Sequence, residues 1–317
     1  MTAGCTGEVR ERTVFLGSGP FGLEALRRLA GHSDVELVGI VTAPDQSAGG
    51  HPRRTPTPIA ALGRELGVSR ILTPDRLRSP EAIASVIALR PELAVLADYG
   101  QLVPAELLAI RDGALNLHPS LLPRHRGATP IPAAILAGDR ETGVTLMRMD
   151  DGLDTGPIVA QRRIELTGRE TAPELEERLA EVAAELVEGS VGRWIAGERS
   201  TRPQADADAT LTRPLRREHG RLDPTRSAKE LERQVRAYQP WPGSFVELDR
   251  GRLTVWAAGT GPATSRAPGI LGPDGISTHD SELLLTEVQP AGGRRMPWEA
   301  FLRGRPDIVG RAILRAP

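Results

Sequence analysis

Three polar side chains near the middle of the chain have the chemistry of acyl transfer. Asn116 and His118 stand two residues apart, and Asp154 follows in a glycine-spaced loop. An amide can donate a hydrogen bond to a developing oxyanion, an imidazole can stabilise that charge or shuttle a proton, and a carboxylate can orient the imidazole and raise its pKa. The sequence leaves one alternative open, in which a turn histidine and a loop aspartate never meet.

The composition singles out the same position. Asn116 is the only asparagine in 317 residues. The chain tolerates the absence of asparagine nearly everywhere else. The retention of this one asparagine close to His118 therefore favours a functional role for Asn116.

A strand is needed to position Asn116 and His118. Ala114–Leu117 is predicted as a buried strand, and side chains two residues apart project from the same face of a strand. Open α/β sheets bind ligands at the carboxyl ends of their strands. The polar loop Met149–Gly156 lies between two apolar runs and can carry Asp154 to the same edge.

Strand and helix signals alternate through the first part of the chain. This alternation predicts parallel βαβ units with right-handed crossovers, and therefore an α/β fold. The other predicted strands are Thr13–Leu16, Val35–Val41, Leu93–Ala97 and Val144–Met149, and the predicted helices are Phe21–Leu29, Pro58–Leu66, Pro80–Leu89, Ile131–Leu136 and Glu174–Trp194.

Residues 200–213 contain few apolar side chains, and we predict that they form a linker. The pattern of secondary-structure signals changes after this linker. A short helix over Leu231–Tyr238 is followed by strand-like runs with Gly-rich turns between them. Such runs are typical of a small β-barrel or sandwich. They are Ser244–Leu248, Arg252–Ala257 and Leu283–Val288.

The charge and cysteine content exclude some classes of site. The net charge of −1 hides a net acidic part before Gln204 and a net basic part after it, so a nucleic-acid partner stays possible. Cys5 is the only cysteine, which rules out intramolecular disulfides and cysteine-based zinc sites. We expect neither a membrane span nor a secretory signal, and we expect a cytoplasmic location.

A glycine-rich turn offers a competing interpretation. Gly17–Gly22 fits the pattern GxGxxG between a strand and a helix, which favours a dinucleotide site in an NAD-dependent oxidoreductase. The alternative is a tight strand-to-helix turn. Dinucleotide folds also need an acidic residue at the end of the second strand, and here Asp45 comes only inside the following loop.

The loop over residues 43–58 carries Arg53, Arg54 and four prolines, so it is predicted to be exposed. It is either a contact loop for an anionic partner or a solvated loop with incidental charge.

The motifs around the three polar residues resemble the signature of the 10-formyltetrahydrofolate-dependent formyltransferases. They are Asn116-Leu117-His118, Ser120-Leu121-Leu122-Pro123 with Arg126-Gly127, and Gly152-Leu153-Asp154-Thr155-Gly156. Beyond the linker, Pro240–Ser244 and Gln289–Met296 are similar to the C-terminal domain of the family members that formylate charged initiator tRNA.

The resemblance implies a fold and a set of site residues. Residues 1–199 would form a Rossmann-like formyltransferase catalytic domain with a mostly parallel sheet, and residues 214–317 an OB-like β-barrel that contacts tRNA. The implied residues are the catalytic Asn116, His118 and Asp154, the tetrahydrofolate-binding Ser120, Leu121, Leu122 and Pro123, and the tRNA-contacting Arg53 and Arg54 of the loop. We expect no metal and a monomer.

The implied activity is transfer of a formyl group from 10-formyltetrahydrofolate to the α-amino group of methionyl initiator tRNA, in translation initiation. Asn116 and protonated His118 would stabilise the oxyanion, and Asp154 would hold His118. A sugar-nucleotide N-formyltransferase and a formyltetrahydrofolate hydrolase share this chemistry, but the Gln289–Met296 stretch argues against both. A pure RNA-binding module would leave the three polar residues unexplained.

Overall fold

The computed structural model describes residues 10–47 and 54–314, which divide into two units. The first unit holds residues up to Pro130, Glu141–Glu165 and Glu176–Thr212, and the second holds Ile131–Arg140, Leu166–Leu175 and the chain from Arg213 onward. The domain limits 1–199 and 214–317 stay a prediction, because two short segments of the first range group with the second unit.

The regular elements are numbered in chain order. The strands are β1 (Glu11–Gly17), β2 (Val35–Val41), β3 (Gln46–Ser47), β4 (Arg54–Thr55), β5 (Ile71–Leu72), β6 (Leu93–Ala97), β7 (Ala114–His118), β8 (Arg126–Gly127), β9 (Glu141–Arg148), β10 (Ile158–Glu165), β11 (Leu211–Thr212), β12 (Ser244–Leu248), β13 (Gly251–Thr260), β14 (Gly275–Ser277), β15 (Glu282–Pro290) and β16 (Met296–Pro297). The α-helices are α1 (Leu23–Ala30), α2 (Pro58–Glu65), α3 (Pro80–Ile87), α4 (Ala105–Leu108), α5 (Pro130–Ala137), α6 (Ala172–Ile195), α7 (Ala228–Ala237) and α8 (Trp298–Gly304).

A seven-stranded sheet in the order β10-β9-β7-β6-β1-β2-β5 forms the first unit. Strands β5, β2, β1, β6 and β7 are parallel, while β9 runs antiparallel to both of its neighbours. All five residues of β6 are buried, as expected for a central strand covered on both faces. The predicted α/β class and the mostly parallel, Rossmann-like sheet are confirmed.

Helix starts follow from capping residues in the sequence. Thr57 and Ser79 each accept a hydrogen bond from a backbone N–H in the first turn of α2 and α3, and a proline follows each of them. The helix predicted over Phe21–Leu29 instead begins as a 3₁₀ turn, Pro20–Gly22, before α1.

A five-stranded antiparallel sheet forms the second unit. Its order is β12-β13-β15-β14, with β16 paired to β15, and it curls as a half-barrel. Its core is made by inward-facing strand residues, by Leu231 and Val235 of α7, and by Trp298 and Phe301 of α8. The predicted small, OB-like β domain is thereby confirmed.

The segment predicted as a linker packs onto the first unit. Strand β11 pairs in parallel with β8, and Arg202 forms an isolated bridge with Ile158. Of the described helices, none is both long and apolar enough to cross a membrane.

Candidate active site

Strand β7 carries Asn116 and His118 to the carboxyl edge of the sheet, between β6 and β9. Their side chains project from the same face, as predicted. Asn116 is partly exposed, and its carboxamide makes no hydrogen bond to any residue within 10–47 or 54–314. Its N–H groups can therefore donate to a ligand.

Both nitrogens of the buried His118 ring have partners. Nε2 lies 2.9 Å from the carbonyl oxygen of His125, and because a carbonyl can only accept, Nε2 carries the hydrogen. Nδ1 lies 3.6 Å from Oδ2 of Asp154. The structure thus brings the imidazole and the carboxylate together and excludes the alternative in which they never meet.

Asp154 is held in an unusual backbone conformation. Its φ of +51° is in the left-handed region, which non-glycine residues adopt rarely. The N–H of Gly127 donates to Oδ2 of Asp154 at 2.7 Å, and the side chain of Gln204 donates to its carbonyl oxygen at 2.8 Å. These bonds aim the carboxylate at His118.

Burial sets the charge of His118. Burial lowers the pKa of the imidazole below its ordinary value, and the nearby Asp154 carboxylate raises it only in part. The ring is therefore neutral near pH 7, with the lone pair on Nδ1 facing Asp154. The resemblance implied a protonated His118, and the structure favours the neutral form before reaction.

The loop after β7 contains the residues assigned to tetrahydrofolate. Ser120 is fully buried and its hydroxyl donates to the carbonyl of Arg124, and Leu122 is buried as well. Leu121 and Pro123 are partly exposed. A ligand at this loop can therefore touch the side chains of Leu121 and Pro123, while Ser120 and Leu122 shape the loop. The set stays a prediction.

Two residues that sequence reasoning missed fix this loop. Thr145 of β9 donates to the carbonyl of Ser120 and accepts from the N–H of Leu122. Gln161 of β10 donates to the carbonyl of Leu122 at 2.8 Å. No signal in the sequence distinguished Gln161, because β10 itself was not predicted.

The glycine-rich turn does not have the surroundings of a dinucleotide site. A Cβ on Gly19 would overlap Oδ2 of Asp98, so a carboxylate fills the space above the turn. A pyrophosphate placed there would overlap this carboxyl group. The turn is a tight strand-to-helix connection in which Gly17 and Gly22 leave room for the backbone carbonyl of Ala97.

Other predicted site features fall outside what the structure describes. Arg53 lies outside the described residues, and Arg54 is described only by its backbone in β4.

Among the described residues, no group of three or more His, Cys, Asp or Glu side chains could hold a metal ion.

Two family models match the chain. The model for formyl transferase covers residues 11–189, and the model for the C-terminal domain of formyl transferase covers residues 214–306.

Curated relatives match over nearly the whole length. Methionyl-tRNA formyltransferase from Chloroflexus aggregans is 40% identical, over 94% of this chain and 99% of its own. The enzyme of the same name from Chloroflexus aurantiacus is 41% identical, over 92% and 96%.

Solved structures share the fold. An N-formyltransferase from Helicobacter canadensis, in complex with folinic acid and dTDP-3-aminofucose, gives a TM-score of 0.61 at 15% identity over 90% of this chain and 100% of its own. HypX from Aquifex aeolicus with tetrahydrofolic acid gives 0.62 at 17% identity, over 92% of this chain and 47% of that longer protein. From its two domain matches and its curated relatives, the chain belongs to the methionyl-tRNA formyltransferase family.

Proposed function

We propose that this chain transfers the formyl group of 10-formyltetrahydrofolate to the α-amino group of methionyl initiator tRNA, in translation initiation. The observation that carries the proposal is the meeting of Asn116, His118 and Asp154 at the sheet edge. It occurs in a chain whose relatives of 40% identity carry the name of this activity. The site of this reaction would be the cytoplasm, where initiator tRNA is used.

The proposed reaction begins with the neutral amine. Its lone pair attacks the formyl carbon, a C–N bond forms, and the carbonyl oxygen becomes an oxyanion that accepts from the Asn116 carboxamide. The attacking nitrogen passes a proton to Nδ1 of His118, and Asp154 stabilises the resulting imidazolium. The oxyanion then reforms the carbonyl, the bond to N10 of the folate breaks, and N10 takes the proton from the His118 imidazolium as tetrahydrofolate leaves.

The folate site is proposed at the loop that follows β7. This loop starts at the catalytic strand and presents partly exposed surface at Leu121 and Pro123. Structural neighbours of the same fold are described with tetrahydrofolic acid and with folinic acid, which supports a folate co-substrate.

The outer face of the second-unit sheet is proposed to contact tRNA. Leu253 and Val255 face the core, so alternate residues of β13 face outward. The guanidinium of Arg252 lies 3.7 Å from the centre of the Phe245 ring, and that of Arg295 lies 3.4 Å from the centre of Trp256. Arg252 also donates to the Glu247 carboxylate at 3.0 and 3.1 Å, whereas the exposed Arg295 stacks on Trp256 with its donors toward solvent, where phosphates can accept from them.

An acceptor comparison tests the function. Purified protein is incubated with 10-formyltetrahydrofolate and, in parallel, methionyl initiator tRNA, uncharged initiator tRNA, an amino-sugar nucleotide or buffer alone. We expect formylmethionine only with the charged tRNA. Formylation of the sugar nucleotide, or release of formate in buffer at a comparable rate, would replace the proposal by one of the two alternatives.

A further inference from the structure

One side chain points inward from an otherwise exposed stretch of the segment predicted as a linker. Over residues 201–208, only Gln204 is not exposed to solvent. Long polar side chains on a surface stretch normally remain solvated, so the environment of Gln204 is informative.

The carboxamide of Gln204 uses both of its ends. Its Oε1 accepts from Nε of Arg126 at 2.9 Å, and its Nε2 donates at 2.8 Å to the carbonyl oxygens of both Asp154 and Gly156. A guanidinium can only donate and a carbonyl can only accept, so the orientation of the amide is fixed by its partners.

These bonds join the two loops that form the site. Arg126 precedes Gly127, whose N–H donates to the Asp154 carboxylate at 2.7 Å. The Asp154 loop is therefore fastened to the loop after β7 twice, by its side chain to Gly127 and by its backbone through Gln204. The second link restrains the left-handed backbone that aims the carboxylate.

The same segment also holds the other partner of His118. Thr210 accepts from the N–H of His125 at 2.8 Å, and it pairs through its own backbone with Arg126 and Pro123. The carbonyl of His125 is the acceptor that fixes the hydrogen on Nε2 of His118. Both groups that face the imidazole are thus supported from residues 204–210.

We propose that Gln204 is a positioning residue for formyl transfer, which holds the Asp154 loop against the loop after β7 so that the carboxylate stays in contact with His118. The assignment of this role to a step in catalysis rests on the proposed function. The proposal that Gln204 sets the distance between Asp154 and His118 is purely geometric and is independent of the proposed function.

Two substitutions separate the parts of this role. Gln204→Ala removes every bond of the amide. Gln204→Glu keeps an acceptor for Arg126 but replaces donors with an oxygen that repels the two carbonyls. We expect both variants to lower kcat by about 10- to 100-fold, the range observed when groups that orient reacting residues are lost, with a much smaller change in KM for the tRNA.

The matched control is Asp208→Ala, a substitution of an exposed residue on the same segment. It should leave kcat, KM and thermal unfolding unchanged. Thermal unfolding of all three variants identifies any loss of activity that comes from loss of the fold.

A titration of the histidines by NMR gives a readout that needs no activity. If Gln204 positions Asp154, the pKa of His118 falls in Gln204→Ala, in the same direction as in Asp154→Asn. Gln204→Glu is judged by its activity alone, because its added carboxylate would itself raise the pKa of His118. A folded Gln204→Ala variant with an unchanged kcat and an unchanged His118 titration would overturn the proposal, and so would a Gln204→Glu variant with full activity. If the wild-type protein formylated no acceptor, the proposed function would fail while the titration still decided the role of Gln204.

Discussion

At the scale of single residues, the site combines an amide and an imidazole. The Asn116 carboxamide has no hydrogen-bond partner within residues 10–47 and 54–314, and each nitrogen of the His118 ring faces a known partner. The Asn116 carboxamide can donate to a ligand, while His118 donates through Nε2 to His125 and presents Nδ1 to Asp154. This arrangement suits a proton acceptor that becomes charged only during the reaction. In the proposed reaction, the positive charge would appear on His118 only when the oxyanion forms.

The charge state of His118 gives a testable pH dependence. Burial holds the pKa of His118 below its ordinary value, so the imidazole stays neutral and able to accept a proton to a lower pH than a solvated histidine would. Asp154→Asn removes the contribution that raises this pKa, and we expect the His118 titration measured by NMR to move further toward acid. A His118 that titrates at or above its ordinary pKa would contradict this account.

These residues could be named from the sequence, but the tautomer of His118 and the hydrogen bonding at Ser120 could not be predicted from it. Spacing on one strand predicted that Asn116 and His118 share a face, and their structure agrees. The tautomer of His118 depends on the His125 carbonyl, which a positive φ of +58° at His125 brings into reach, and no periodicity reports such a backbone conformation. The backbone at Ser120 is likewise held by a hydrogen bond from Thr145, a distant residue in the chain.

At the scale of elements, Glu170 stabilises the turn that leads into α6. Its carboxylate accepts from the backbone N–H groups of Thr167, Gly168 and Arg169 at 2.7, 3.0 and 3.1 Å. Burial raises the pKa of this carboxyl, but the backbone and Thr167 hydrogen bonds outweigh burial and lower the pKa to about 2.

This turn predicts a pH-dependent stability. Because the pKa of Glu170 is lower in the folded state, its contribution is present above the unfolded pKa near 4.5 and is lost as the pH falls toward 2. Glu170→Gln should therefore lower the free energy of unfolding by about 2 kcal/mol at pH 7, with a difference that shrinks below pH 4.5. Denaturant unfolding at several pH values measures it, with the exposed Glu177→Gln as control. A difference as large at pH 2 as at pH 7 would exclude the mechanism.

Elements with caps and clear periodicity could be predicted from the sequence, and elements defined by their neighbours could not. Helix α2 was predicted within one residue because Thr57 and Pro58 mark its start. Strand β10 was missed because it lies at the sheet edge and carries charged residues such as Arg162 and Arg163, which is typical of edge strands. The segment over residues 200–213 looked unable to bury anything, yet it is held to β8 and to the Asp154 loop by backbone pairing and by the side chains of Gln204, Asp206 and Thr212.

At the scale of the whole molecule, the tRNA contact proposed for the second unit would depend on arginines. Lys229 is the only lysine in the chain, so phosphate contacts must come mainly from guanidinium groups. The outer-face pair of Arg295 and Trp256 places one such group on a rigid aromatic support, with the indole N–H in turn donating to Gln289 at 2.9 Å.

We expect the loss of Arg295 to weaken the binding of charged tRNA. Arg295→Ala should raise KM for the charged tRNA and reduce the slope of log affinity against log salt by about one, as for the loss of one phosphate contact. The maximal rate should not change. Arg303→Ala is the matched control, because Arg303 is an exposed arginine of α8, the helix that packs on the core side of the sheet. Equal effects of the two substitutions would place the RNA elsewhere.

If formyl transfer takes place at Asn116, single-turnover formylation will be slow without its carboxamide. Excess enzyme is mixed with methionyl initiator tRNA and 10-formyltetrahydrofolate, and formylmethionine is followed in the wild-type protein and in Asn116→Ala. We predict one formylmethionine per tetrahydrofolate released, and a rate lower by about 10²-fold or more in the variant, as for the loss of an oxyanion donor. An equal rate in the two proteins would contradict the account.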